Sequence, residues 1–354
     1  CYTPPSDARS LSLSLTLTPF PFGDVADNLT QARIGLEQAK IGYRQARAQL
    51  EAQALEAAYR RKLAEGAVGV AQSGLRLAQG SLEATRLRQT REAANASEVR
   101  QAEAGVRQAQ SQLDDAQRNL ELAGLTLREF FGTDRVEPVE VPVPRPFPAP
   151  AVLQAELQVI QAQLAFDRAL RNALPVVQGS YSWYPSSSST WSLSLNSRTL
   201  QPALGFSYLD PNPSRSSPPQ DRLRSEWRVG LSFSLTPALF DAIDAGERQL
   251  EAARAGLEAA KRNAALQEQV LRTNLAAAER GLGLAQSALA DGEKALGEAR
   301  ERERLGLTSP LATLQAELAA QQARLGLEQA RFARAQRLLD LYRFYALPPS
   351  EVTP

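Results

Sequence analysis

The sequence predicts a mixed α and β fold in which short strands feed long α-helical coiled-coil hairpins, arranged as two internal repeats. Ser10 to Thr18 reads SLSLSLTLT and passes through PFPF (19–22) into a long helical pattern. The same order returns as VGLSFSLT (229–236) and PALF (237–240), again ahead of a long helical pattern. Within the helical stretches, apolar residues recur at every seventh position. Together these features fit a strand wall joined to a coiled-coil tube, an arrangement rare in soluble enzymes.

The strands come first in each repeat. Leu11, Leu13, Leu15 and Leu17 alternate with Ser10, Ser12, Ser14, Thr16 and Thr18, a length close to the ~9–11 residues of a tilted transmembrane strand. In the second repeat Trp227, Val229, Leu231, Phe233 and Leu235 alternate with Arg228, Gly230, Ser232, Ser234 and Thr236. Val177, Gly179, Tyr181 and Trp183 alternate with Gln178, Ser180 and Ser182. Trp191, Leu193 and Leu195, then Leu204, Phe206 and Tyr208, predict two further strands or one long interrupted pair. Soluble sandwich strands also alternate. The Ser, Thr and Gly face suits a water-filled lumen, and Trp183, Tyr184, Trp191, Tyr208 and Trp227 near the strand ends suit an interfacial girdle. That favours a membrane barrel whose lipid face carries Leu11, Leu13, Leu15, Leu17, Val229, Leu231, Phe233 and Leu235. So few strands cannot close a barrel, so several chains are expected to share one.

The first helix is expected from about Asp24 to Arg91, roughly 100 Å at 1.5 Å per residue, and its counterpart from about Asp241 to Arg304. Each ends in a break, AANAS (93–97) and LGLTSP (305–310), and the chain returns as a second helix. Gly306 supplies a permissive backbone for the turn, and Ser309-Pro310 suits a helix start. Val99, Val106, Leu113, Leu120 and Leu127 form one heptad ladder, and Leu311, Leu318, Leu325, Phe332 and Leu339 the other, which predicts left-handed supercoiling. Partial ladders at Leu29, Leu36, Tyr43, Leu50 and at Leu275, Leu282, Leu289, Leu296 are expected to face inward too. VEPVEVPVPRPFPAP (136–150) reads as an extended connector, and a shorter helix from Ala151 to Leu174 stops at Pro175. The expected division is strand and partial loop 1–22, first hairpin 23–132, connector 133–150, short helix 151–175, strands and loop 176–240, second hairpin 241–346 and tail 347–354. The Pro- and Ser-rich 210–224 reads as an exposed loop.

Composition narrows the function. Lys+Arg 40 against Asp+Glu 39 gives net +1, with both signs interleaved along the helices and no basic block for nucleic acid. There is no His and no Met, and the only Cys is Cys1. That removes imidazole catalysis, His-ligated metal sites, an intrachain disulfide and any CxxC site. Neither a Walker A motif nor GxGxxG is present. No enzyme activity, cofactor or metal is expected. No apolar run approaches the ~18 residues of a membrane helix, so any spanning element must be a strand. A start without Met and without a signal peptide predicts a processed or truncated chain.

Over nearly its whole length the sequence resembles the TolC-like outer-membrane channel proteins, also called outer membrane factors. The most specific pieces are VGLSFSLTPALFDA (229–242) and RERLGLTSPLATLQAELAAQQARL (302–325), with 118–132 and 334–346 resembling the ends of the returning helices. The first tip, EAANASEVRQAEA (92–104), keeps Glu98, Gln101 and Ala102 but has Glu92 where the family has Gly. The resemblance implies a homotrimer in the outer membrane, its strands pooled in one barrel and its helices forming a periplasmic α-barrel tunnel. It implies a passive exit duct of a tripartite efflux pump or type I secretion system, served by an inner-membrane transporter through a periplasmic adaptor. Adaptor docking would fall on Leu305, Gly306, Leu307, Thr308, Ser309, Ala94 and Asn95. A gate or constriction would involve Glu98, Glu303 and Arg304, with a charge pattern altered from the family's. The family's opening helix and rising strand are missing, which predicts a cut in the first extracellular loop or a lost N-terminal segment. Lipidation of Cys1 is disfavoured, because Cys1 precedes a strand entering from outside. Two other readings are a periplasmic adaptor, which would carry one hairpin and lipoyl-like halves, and a purely structural coiled-coil envelope protein.

Overall fold

A computed structural model describes residues 10–18, 22–91, 94–186, 188–209, 224–233 and 236–351. Cys1, Glu92, Leu235 and the loop expected at 210–224, except Arg224, lie outside the described residues. In chain order the elements are β1 (Ser10–Thr16), α1 (Asp24–Thr90), α2 (Ala96–Phe131), α3 (Pro150–Asn172), β2 (Val176–Trp183), β3 (Ser189–Asn196), β4 (Ala203–Leu209), β5 (Ser225–Ser232), α4 (Pro237–Arg304) and α5 (Pro310–Tyr345). A short 3-10 turn, Pro349–Glu351, follows.

Helix starts follow local chemistry. α4 opens at Pro237 rather than Asp241, and α3 and α5 also open on proline. Proline's fixed φ suits the first turn, where its missing N–H has no partner to lose. Asn95 caps α2 by accepting the N–H groups of Ser97 and Glu98, each at 3.0 Å. Ser309 caps α5 by accepting the Ala312 N–H.

The chain divides into two compact units, Cys1–Lys40 with Leu153–Ala260, and Ile41–Val152 with Lys261–Pro354. The first unit holds an antiparallel sheet of five strands in the order β1-β4-β3-β2-β5. Trp191 to Leu195 and Leu204 to Tyr208 are thus two separate strands. Because each neighbouring pair is antiparallel, β1, β3 and β5 run one way and β2 and β4 the other. The two free edges, β1 and β5, therefore point in the same direction. Where the chain leaves β1 for α1, Gly23 has φ +55, and a Cβ there would collide with the Arg198 carbonyl. Only glycine fits that corner. One turn later Asp27 is buried and receives Arg168 Nε at 2.9 Å together with Arg171. An acidic side chain also suits the positive N-terminal end of α1.

In the second unit α5 runs between α1 and α4. Toward α1, Tyr59 stacks on Phe332 at 6.0 Å, Arg76 meets Glu317 at 2.7 Å, and Gly66 lies against Leu325. Toward α4, Gly292 faces Ala320 and Ala323, and Arg324 pairs with Glu293 at 2.8 Å. The core joins Val141 of the connector, Leu275 of α4, and Leu338, Leu341, Tyr342 and Tyr345 of α5. Tyr342 donates its hydroxyl to the Pro142 carbonyl at 2.8 Å, which ties the proline-rich connector down. α2 packs on α1 through Leu127, Ala57 and Ala58.

The ladders divide. Leu113, Leu127 and Leu339 are buried, and the other members of both return-helix ladders are half-buried. On α1 the expected ladder does not face inward. Leu29, Leu36, Tyr43 and Leu50 are exposed, Tyr43 by 66%. The inward positions are Asp27, Ile34, Ile41 and Ala48, also seven apart. α1 thus carries two seams, one spent within the chain and one open.

Candidate functional site

The sheet sorts most of its side chains by face, with Ser189 and Ser225 on the apolar side and Val176 on the polar side as exceptions. Register places Leu13, Phe206, Trp191 and Trp183 in one row across four strands. The next row is Leu15, Leu204, Leu193, Tyr181 and Trp227. Gly179 beside Val229, and Val177 beside Leu231, continue the same face. In-register neighbours on one face touch directly, as Trp191 does Phe206 at 4.8 Å and Tyr181 does Trp227 at 4.6 Å. Much of this apolar face lies open, Trp227 by 76% and Val229 by 75%. An uncovered apolar surface five strands wide would be costly in water, where exposed patches of monomers stay within a few hundred Å².

The opposite face carries Ser and Thr from β1, β2, β3 and β4, with Gly205 and Ala203 between them. Space is tight there: a Cβ on Gly205 would meet Ser192 Oγ at 2.6 Å. Two charged residues, Glu226 and Arg228, share this face on β5 and pair at 2.8 Å. Arg228 is visible in the strand's alternation. Glu226 is missed by the sequence reading, although its even spacing from Arg228 marks it.

Three Trp residues and Tyr208 lie in one half of the sheet. Trp183 ends β2, Trp191 and Trp227 are the third residues of β3 and β5, and Tyr208 is next to last in β4, all in the half of the sheet away from the strand-to-helix junctions. Tyr184 follows β2 and its N–H donates to the Arg224 carbonyl at 3.0 Å. Phe233 follows β5 and is exposed. Leu17 follows β1, with its N–H on the Pro202 carbonyl at 3.0 Å.

The second hairpin tip is a closed turn. The Leu307 N–H donates to the Arg302 carbonyl and the Gly306 N–H to the Glu303 carbonyl, both at 2.8 Å, with Gly306 at φ +73. This is the Schellman arrangement, which ends a helix and satisfies its last carbonyls. Leu305 and Leu307 are left 56% and 73% exposed, and Thr308 is half-buried. At the first tip Ala94 is half-buried and Asn95 is the exposed cap.

Of the three expected constriction residues, Arg304 is bound within its own helix to Glu301 at 2.5 Å. The Arg304 guanidinium holds the Glu301 carboxyl below its ordinary value, and Glu301 raises Arg304 in return. Glu98 is exposed and Glu303 half-buried, and among the described residues no ion pair joins either to Arg304. Among the described residues, no group of His, Cys, Asp or Glu could hold a metal, and no helix is long and apolar enough to cross a membrane.

No protein-family model matches the sequence, and no curated protein matches it. Solved structures do. The CmeC outer membrane channel of Campylobacter jejuni superposes with a TM-score of 0.63 at 13% identity, covering 96% of this chain and 71% of that one. The outer membrane protein VceC of Vibrio cholerae gives 0.61 at 15% identity, covering 97% and 86%. The MtrE outer membrane channel of Neisseria gonorrhoeae gives 0.59 at 17% identity, covering 96% and 80%. Over almost its whole length the chain has the fold of these outer-membrane channel proteins.

Proposed function

We propose that this chain is one subunit of an outer-membrane channel, a passive exit duct leading from the periplasm to the exterior. The observation that carries this reading is the sheet, with one continuous apolar face, one hydroxyl-rich face and two open edges. In a bilayer each unpaired backbone group at an open edge costs several kcal/mol. Only closure with further strands removes that cost, so the apolar face meets lipid and the hydroxyl face lines a lumen. The edge directions constrain the closure. Copies joined directly would bring β1 beside the next copy's β5 as a parallel pair, whereas an all-antiparallel wall takes one more strand at each seam.

The fold supports a homotrimer that works in a tripartite efflux pump or a type I secretion system, fed by an inner-membrane transporter through a periplasmic adaptor. The exposed seam of Leu29, Leu36, Tyr43 and Leu50 gives neighbouring copies a heptad surface to share. Leu305, Gly306 and Leu307, with Thr308, Ser309, Ala94 and Asn95, form the adaptor-docking tip, since two open leucines on a closed turn serve nothing within the chain. Glu98, Glu303 and Arg304 lie next to these tips and line the constriction. Trp183, Tyr184, Trp191, Tyr208 and Trp227 hold the outer membrane interface.

Purified protein in detergent is expected to run as a stable trimer by mass measurement and to open ion-conducting pores in planar bilayers. A stable monomer that does not conduct would instead favour an adaptor or a structural spacer.

A further inference from the structure

We infer that the Glu226–Arg228 pair keeps the wall of the barrel section free of net charge, so that it prefers neither sign of ion. The inference rests on the channel reading above and concerns what its wall admits.

The hydroxyl face is almost without charge. Along the five strands it presents Ser and Thr hydroxyls, the amides of Gln178 and Asn196, and small residues such as Gly205. Glu226 and Arg228 are the only ionisable side chains that the described strands place on it. They stand opposite Ser182 and Ser180 of β2, and Arg228 Nη2 meets Glu226 Oε1 at 2.8 Å. Glu226 lies toward the aromatic end of the sheet and Arg228 at mid-strand, and β5 is an edge strand. Each copy therefore adds one positive and one negative group at one level of the lumen. Paired, they leave no net charge.

Fixed charge in a pore wall acts on ions within a Debye length, about 10 Å at 0.1 M salt. A hydroxyl can turn either its proton or its lone pairs toward an ion and carries no net charge that would select one sign. With the pair intact, the barrel is a neutral hydroxyl-lined passage that sorts solutes by size and passes charged and uncharged cargo alike. With one member removed, each copy contributes the same unbalanced sign and a ring of like charge results. A pair that served only to steady an edge strand would leave ion preference unchanged when neutralised.

The test uses the full chain reconstituted in planar bilayers under a KCl gradient near 0.1 M. Relative to wild type, Glu226→Gln is expected to shift the potassium-over-chloride permeability ratio toward chloride, and Arg228→Gln toward potassium. Each shift should be at least about twofold, and the double variant should return to the wild-type ratio. Both shifts should shrink near 1 M salt, where the screening length is about 3 Å. Single variants that leave the ratio unchanged, or move it in the same direction, overturn the inference while leaving the channel reading intact. A wild-type chain that never conducts overturns the channel reading, and this inference with it.

Discussion

α2 and α5 are the return helices of the two repeats, and both are 36 residues long. Both carry a seven-residue apolar ladder, yet they live in different surroundings. α5 lies between α1 and α4 and buries residues from Thr313 to Tyr345, including Leu338, Leu339, Leu341 and Tyr342. α2 packs on α1, with Val136 of the connector against the same cluster, and buries Ala109, Leu113, Gly124 and Leu127, leaving Leu122 and Leu125 in the open. The difference teaches that two helices with the same apolar period bury different amounts, according to how many helices surround them. α2 leaves apolar surface open, whereas α5 spends most of its apolar surface within the chain.

Core truncation gives the largest expected effect. Leu341 is fully buried, so Leu341→Ala should lose about 2–5 kcal/mol through lost transfer energy and a cavity. Leu122→Ala should cost the dissociated chain less than about 0.5 kcal/mol but weaken assembly. Urea unfolding followed by helical circular dichroism reads the first, and mass measurement across a dilution series reads the second. A dissociated chain that suffers equally from both substitutions would break the comparison.

The helix ends differ as well. Beyond α5 the tail folds back as a clasp. Ser350 donates its N–H and hydroxyl to Glu51 at 2.9 and 2.8 Å, and Arg47 reaches Glu51 at 2.9 Å and Glu351 at 3.0 Å. Burial alone would push the Glu51 carboxyl up, but Ser350 and Arg47 outweigh it and hold it below its ordinary value. Just beyond α2 the ion pairs are exposed ones, Arg128–Asp134 and Lys62–Glu137, each at 3.2 Å, a kind of contact worth little. Because the folded carboxyl is depressed, the clasp is at full strength above the unfolded value, about 4.3. It is lost as pH falls from there through the folded value. Hydrogen exchange of the Ser350 amide should accelerate, beyond the intrinsic rate, across that acidic window. Glu51→Gln should leave the amide weakly protected at every pH. A pH-independent wild type would show that the tail is held by packing instead.

Much of this was legible in the sequence because it is periodic. The period of two at Leu11–Leu17 and Val229–Phe233 gives the strand faces, and the period of seven gives the hairpins. Pro310 with Ser309, and Gly306, mark the second tip by backbone chemistry alone. What escaped is what depends on distant partners. The ladder at Leu29, Leu36, Tyr43 and Leu50 has the same spacing as a buried one, and only the placement of Ile34 and Ile41 against their neighbours shows which seam is used. The burial of Asp27 depends on Arg168 and Arg171, more than a hundred residues away, a pairing no local pattern specifies. α4 begins at Pro237 because proline starts a helix more strongly than the neighbouring strand pattern resists it.

The smallest expected effect concerns the caps of the same two helices. α2 ends at Gly132 with φ +68, and α5 ends at Ala346 with φ +50. A left-handed conformation costs a residue with a Cβ about 1 kcal/mol or slightly more, so Ala346 looks like the wrong choice. Its surroundings explain it: Ala346 is buried among the residues that close α5, whereas Gly132 is exposed with nothing within 4 Å of an added Cβ. Burying a methyl contributes about 0.8 kcal/mol, which nearly offsets the backbone cost at Ala346 and offers nothing at Gly132. Gly132→Ala should therefore destabilise by about 1 kcal/mol, while Ala346→Gly should change stability by no more than about 0.5 kcal/mol. Chemical denaturation of both variants reads the difference. An Ala346→Gly chain stabilised by a full kilocalorie would mean that the buried methyl contributes nothing, and that the second repeat tolerates plain strain at its cap.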